Sequence, residues 1–291
     1  MFSAYFAAKQ GEGPVNVAEA IPVRRMDFEF PDDLDLVFIE GDPAMSYFFV
    51  GAWMMLPYLE PFLIRTVQAA MPAIRDEKLR EEMKRFCAQE GQHFRQHAKL
   101  NEVVRRIHPS GPALAELEKQ VAAEFTAWSA EKPLKFNLAY GEGFESMTCA
   151  GARTQIQTGM FGWMKEPIRS LMYWHILEEI EHRTVCFDVY EDVVGDYAYR
   201  TRMSVWFQKH YYAWCRRFAA AMIAADPAAI ARYDTPEWAA VRKRRMRAYR
   251  ADYLPRLIGT FMPWYDPAKV RLPPGFEAAR ADFTARAASV Q

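Results

Sequence analysis

The sequence predicts an all-α protein built on a four-helix bundle, with a crossover helix between the second and third bundle helices and additional C-terminal helices. Three observations carry this. The pattern turns helical from residue 44 onward, and no period-two alternation of any length is present. Prolines and glycines fall in clusters that cut the chain into long segments. Two of those segments share one Glu-x-x-His signature, which sets a carboxylate and an imidazole about one turn apart on a helix.

The elements follow in order. Residues 1–43 are punctuated by Gly11, Gly13, Pro14, Pro22, Pro31 and Pro43, and read as an irregular arm lying over the body. A first helix is expected over 44–70, ending near Pro72, and a second over Asp76–Ile107, stopped by His108-Pro109-Ser110-Gly111-Pro112. A connecting helix over 112–131 ends before Pro133. The third bundle helix covers 134–158 and is broken by Gly159 and Gly162; the fourth runs from near Pro167 to Gly195. Further helices are expected at Tyr197–Ala225 and from Thr235-Pro236, a capping residue followed by a proline. The expected organisation is an arm (1–43), a bundle (44–195) and a helical extension packed on it (196–291).

Composition narrows the function classes. Hydrophobic residues at 51% and charged residues at 25% describe a globular chain with a large core. A formal net charge of +0 gives no global field to attract nucleic acid, so none is expected as a partner. The basic run Arg242–Arg250 reads as a solvated helix face. Cys87, Cys149, Cys186 and Cys215 are scattered without a CxxC pair, which argues for a reducing, cytoplasmic setting. The N-terminal run MFSAYFAAKQGEG lacks the layout of a signal peptide. Residues 44–64 are long and apolar enough for a membrane span, but Glu60, Pro57 and Pro61 inside the stretch favour a buried core helix. A membrane is therefore not an expected partner, and a homodimer is left open.

The candidate chemistry lies in Glu90-x-x-His93 and Glu179-x-x-His182. A two-metal bundle site needs one more glutamate from each of two other helices. Glu60 lies 30 residues before Glu90, and Glu145 lies 34 before Glu179. The midpoints of these intervals are residue 75, beside the first expected turn, and Gly162, in the second. Each helical hairpin thus brings its glutamate level with its Glu-x-x-His. Glu60 is also the only charge in the apolar stretch 44–64, where an unpaired carboxylate would cost several kcal/mol. Four glutamates balance two divalent cations, with iron favoured and manganese or zinc as alternatives. Glu142, one turn before Glu145, is a rival ligand or a supporting acid, and Glu178 neighbours the fourth-helix ligand. His97 and His175 fall on one side of the expected metal pair together with Thr148 and Cys149, which marks that side as a candidate reaction pocket; for Thr148 a hydroxyl bonded back to its own helix is the simpler reading.

The runs GAWMMLPYLEPF, the Glu90-x-x-His93 helix, FESMT around Glu145 and HILEEIEHRTVCFDVY resemble the bacterial family of predicted metal-dependent hydrolases. The resemblance extends from about Arg24 to Gly275 and includes Pro263-Trp264-Tyr265-Asp266-Pro267. The family's ligand pattern is similar to that of the ferritin-like di-iron carboxylate proteins, which implies a ferritin-like bundle. Ser146 departs from the pattern, where histidine is expected after the third-helix glutamate.

Three functions are weighed on these residues, and the carboxylate-rich, redox-capable ligand set makes the first the expected one. The first is a di-iron oxidoreductase that uses O2 on a hydrophobic small molecule, its electrons coming from an external donor because no flavin, nicotinamide or iron–sulfur signature is present. The second is a two-metal hydrolase with a hydroxide nucleophile, as the family's label implies. The third is a non-catalytic metal-binding bundle. The aromatic and methionine residues of the first helix (Phe48, Phe49, Trp53, Met54, Met55, Tyr58) would suit a hydrophobic substrate, though core packing explains the same residues without one and is the preferred reading.

Overall fold

The structure, a computed structural model, describes residues 21–289 and is all-helical, with one isolated backbone bridge between Ile39 and Met164. Residues 1–20 of the expected arm, including the N-terminal run examined for a signal peptide, lie outside the described residues; residues 21–42 hold no helix. The chain then forms α1 (Pro43–Ala70), α2 (Glu77–Ile107), α3 (Gly111–Glu131), α4 (Leu134–Gln157), α5 (Ile168–Glu181), α6 (Val185–Val193), α7 (Tyr197–Ala225), α8 (Pro227–Arg232), α9 (Pro236–Thr260) and α10 (Phe276–Ser289).

Local chemistry fixes the ends. The Asp42 carboxylate accepts from the Met45 amide at the head of α1, Asp76 from Lys78 at α2, Asp196 from Tyr199 at α7, and the Thr235 hydroxyl from Trp238 at α9. α1 ends at Ala70, just before Pro72, in a 3-10 turn over Met71–Ala73.

α1 is apolar almost all round because it is enclosed almost all round, by α2 and α7 along its length and by α3 and α4 beside them. Glycines permit the closest approaches. A Cβ on Gly51 would lie 2.6 Å from the carbonyl oxygen of Cys215 on α7, and one on Gly143 of α4 would lie 2.3 Å from the Phe207 ring. The Pro43–Ala73 stretch is the one long and apolar enough to cross a membrane among the described residues, and 67% of its most apolar window is buried inside the protein.

The fourth expected helix is a correction. It is two helices, α5 and α6, interrupted at His182-Arg183-Thr184. The Arg183 guanidinium donates to the Ile180 carbonyl at 2.7 Å, taking the acceptor that the Thr184 amide would use in a continuous helix. It also donates to the Pro267 carbonyl at 2.9 Å. A long-range side-chain anchor, and no proline or glycine, breaks the helix there.

Candidate metal centre

Four elements deliver the expected ligands to one buried place. α1 supplies Glu60, α2 supplies Glu90 and His93, α4 supplies Glu145, and α5 supplies Glu179 with His182 at its C-terminal boundary. None of the six is more than 2% exposed. Glu90 Oε1 lies 3.5 Å from His93 Nδ1 and 3.5 Å from His182 Nε2; Glu179 Oε1 lies 3.8 and 3.7 Å from the same two atoms. These two carboxylates therefore stand between the two imidazoles. Glu145 Oε2 approaches His182 Nε2 at 3.1 Å. Two sets of ligand atoms lie close enough to hold an ion each: Glu60, His93 and His175, and Glu90, Glu179 and His182.

Hydrogen bonding tests whether metal fits. Among buried side-chain atoms, both oxygens of Glu60, one each of Glu90, Glu145 and Glu179, and His93 Nδ1 have no hydrogen-bond partner. Five further buried atoms, on His97, His108, Asn137, Gln155 and Arg200, also lack a partner, one to a residue, whereas these six gather at one place. The far sides of the imidazoles explain which way their lone pairs face. Gln89 Nε2 donates to the Pro22 carbonyl at 2.7 Å and to Glu181 at 3.0 Å, so Gln89 Oε1 must accept from His182 Nδ1, 3.0 Å away. Glu178 Oε2 likewise accepts from His93 Nε2 at 3.0 Å. Each ring then turns a bare nitrogen toward carboxylate oxygens, an arrangement that requires a proton or a cation between them. The donor set fits a pair of divalent cations.

The electrostatics agree. Burial and the neighbouring Glu90 push the Glu60 carboxyl well above its usual range. Burial and Glu179 raise Glu145 to about 8. Burial works against charge on His93 and His182, yet the surrounding glutamates raise both well above the ordinary imidazole range. Without metal, protons would stand in for the missing positive charge.

The remaining candidates divide. His175 stacks on His93 with ring centres 4.2 Å apart; its Nε2 is 3.0 Å from Glu179 Oε1, and its Nδ1 is 2.6 Å from His97 Nε2. Burial holds both His97 and His175 below their ordinary pKa, so this pair is neutral. Glu178 supports His93. Glu142 belongs to neither ligand set and is held by Arg200 of α7 and by Ser146, at 2.9 Å each. Thr148 donates to the Glu145 carbonyl of its own helix at 3.0 Å. Trp53, Met54 and Met55 are core residues, 3%, 0% and 0% exposed. Burial raises the Cys149 and Cys186 thiols, and lifts Cys87 to about 12, so none is poised as a thiolate. Two surface clefts are lined in part by Phe28, Lys99 and Glu166 and by Tyr47, His108 and Asp226; neither includes any of the six.

Sequence reasoning missed Gln89, Arg24, Glu181 and Trp174, which donates to Glu178 at 2.9 Å. Gln89 carried a weak signal, since it lies one turn before His93 on the same helix.

A sequence model of the family described as predicted metal-dependent hydrolase matches residues 22–270. No curated protein and no solved structure matches the chain.

Proposed function

The chain belongs to the family of predicted metal-dependent hydrolases, and from that premise we propose that it is a two-metal hydrolase whose centre sits inside a ferritin-like bundle of α1, α2, α4 and α5–α6. In this reading α3 is the crossover. Glu60, His93 and His175 would hold one ion and Glu90, Glu179 and His182 the other, with Glu145 beside His182 as a further carboxylate. The observation that carries the proposal is the convergence of unpartnered, fully buried acceptor atoms from four helices.

A bound pair of divalent cations lowers the pKa of water and polarises a carbonyl or phosphoryl oxygen. The chain's own residues do the rest. Glu178 and Gln89 fix the imidazole tautomers so that His93 offers Nδ1 and His182 offers Nε2. His97 Nε2, 2.6 Å from His175 Nδ1, would fix the third ring in the same way and leave His175 Nε2, beside Glu179 Oε1, for the ion. The enclosing apolar residues keep bulk water from the acids.

A second reading rests on one further observation. Four carboxylates against two or three imidazoles make an oxygen-rich donor set that suits iron or manganese better than zinc. It would make the protein an O2-dependent di-iron oxidoreductase acting on a hydrophobic small molecule, supplied with electrons by a separate donor. Metal analysis of protein purified without added metal separates the two. Two zinc or other redox-inert ions per chain, with anaerobic cleavage of ester or amide substrates, supports the hydrolase. Two irons, with an O2-dependent absorption change after reduction, supports the oxidoreductase. Stoichiometric metal with no turnover in either assay leaves a binding protein.

A further inference from the structure

We propose that Arg24, on the extended segment before α1, is a positioning residue that sets the metal-facing imidazoles of His93 and His182 at once. This rests on the metal centre proposed above. Arg24 is 3% exposed. Its Nη1 donates to Glu178 Oε1 at 3.0 Å and to Glu181 Oε2 at 2.8 Å, its Nη2 to Glu181 Oε1 at 2.7 Å, and its Nε to the Thr284 hydroxyl of α10 at 3.0 Å. Two branches leave this one guanidinium. Through Glu178 it reaches His93 Nε2. Through Glu181 and Gln89 it reaches His182 Nδ1. Both branches end on the ring nitrogen that faces away from the ligand cluster.

The chemistry suits an arginine. A planar fork can grip Glu181 with two nitrogens and still present an N–H to Glu178, whereas an ammonium is a point charge without that fixed geometry. The branches are unequal. Glu181 also accepts from Arg280 of α10 at 3.0 Å, while among the described residues Glu178 has Arg24 as its only cationic partner apart from His93 itself. The segment carrying Arg24 is laid along α2 by glutamines: Gln89 donates to the Pro22 carbonyl, and Gln96 donates to the Met26 carbonyl and accepts from the Phe28 amide. An arm outside the four ligand-bearing helices thus becomes part of the centre.

Chelator competition with Zn2+ on the full-length protein, read as two binding constants, tests this together with the imidazole 15N signals that report tautomers. Arg24→Met should weaken both ions, by about 10- to 100-fold on the His93 side as is usual for lost outer-layer partners. Arg24→Lys should fall between it and wild type. Gln89→Met should weaken one ion and disturb the His182 signal alone. Gln96→Leu loosens the same arm without touching the fork, and should keep both constants within about twofold of wild type. Wild-type affinity in folded Arg24→Met, or equal loss in Gln96→Leu, overturns the proposal. If Arg24→Met does not fold, Arg24→Lys with wild-type constants, or Gln89→Met weakening both ions equally, overturns it instead. A wild-type chain that takes up neither ion overturns the metal centre itself, whatever Arg24 does.

Discussion

The Nε2 of His93 lies 3.0 Å from Oε2 of Glu178, a carboxylate from the residue next to the proposed ligand Glu179. Two adjacent glutamates on α5 therefore serve different ends: Glu179 faces the cluster, and Glu178 grips the back of the histidine opposite. Glu178→Ala removes that grip and frees the ring to rotate. Metal affinity should fall by about 10- to 100-fold at one of two sites, measured by competition with a chromophoric chelator.

Glu60 has no hydrogen-bond partner for either oxygen. Glu60→Leu should reduce metal content from two ions per chain to one. It should also stabilise the metal-free protein, because an unsatisfied buried carboxyl costs about 1–3 kcal/mol. Urea melts with and without chelator check both halves; loss of stability in the metal-free state would count against burial of this acid as a functional strain.

The pH dependence of the metal-free protein has a definite sign. Glu60, Glu145, His93 and His182 all have pKa values raised by folding, Glu145 to about 8. Raised values mean that the folded state binds more protons than the unfolded state, so stability falls as pH rises through the folded pKa. The neutral pair His97 and His175 adds nothing above its ordinary imidazole range, since both states are then uncharged. Chelator-treated protein should lose melting temperature between pH 7 and 9, whereas the metal-loaded protein, whose ligands are already deprotonated, should not. Metal uptake at pH 7 should release protons, detectable with an indicator dye.

His175 and His97 should separate in metal analysis. His175 belongs to a ligand set with Glu60 and His93, so His175→Ala should lower metal content. His97 reaches the centre through His175, so His97→Ala should leave two ions bound at saturating metal while weakening the hold on one of them.

Close packing of α4 on α7 gives a prediction about stability alone. Gly143→Ala puts a Cβ 2.3 Å from the Phe207 ring and should cost about 1–3 kcal/mol, as overpacked core sites do. Denaturant titration would report it, with metal stoichiometry unchanged.

Much of this was legible in the residues. Proline and glycine clusters and side-chain caps are local signals, and they located α1, α2, α3, α4, α7 and the start of α9 to within a residue or two. The level meeting of Glu60 with Glu90, and of Glu145 with Glu179, followed from hairpin arithmetic because helical rise is constant. What escaped was set by distant partners. The break at His182 depends on Arg183 reaching Pro267, some eighty residues on. Glu142 was ambiguous until Arg200 of α7 was seen beside it. Arg24 gave no sign at all, since nothing in an extended, proline-marked segment announces an ion pair more than 150 residues away.

The enclosure of α1 has a consequence for any attempt to shorten the protein. Its outer side is covered by α7, with Gly51 lying against the backbone at Cys215. A fragment ending at residue 195 would carry every proposed ligand yet leave a bilayer-length greasy cylinder bare on one flank. Such a fragment should precipitate or partition into detergent, so the minimal soluble unit must keep α7 although that helix contributes no ligand.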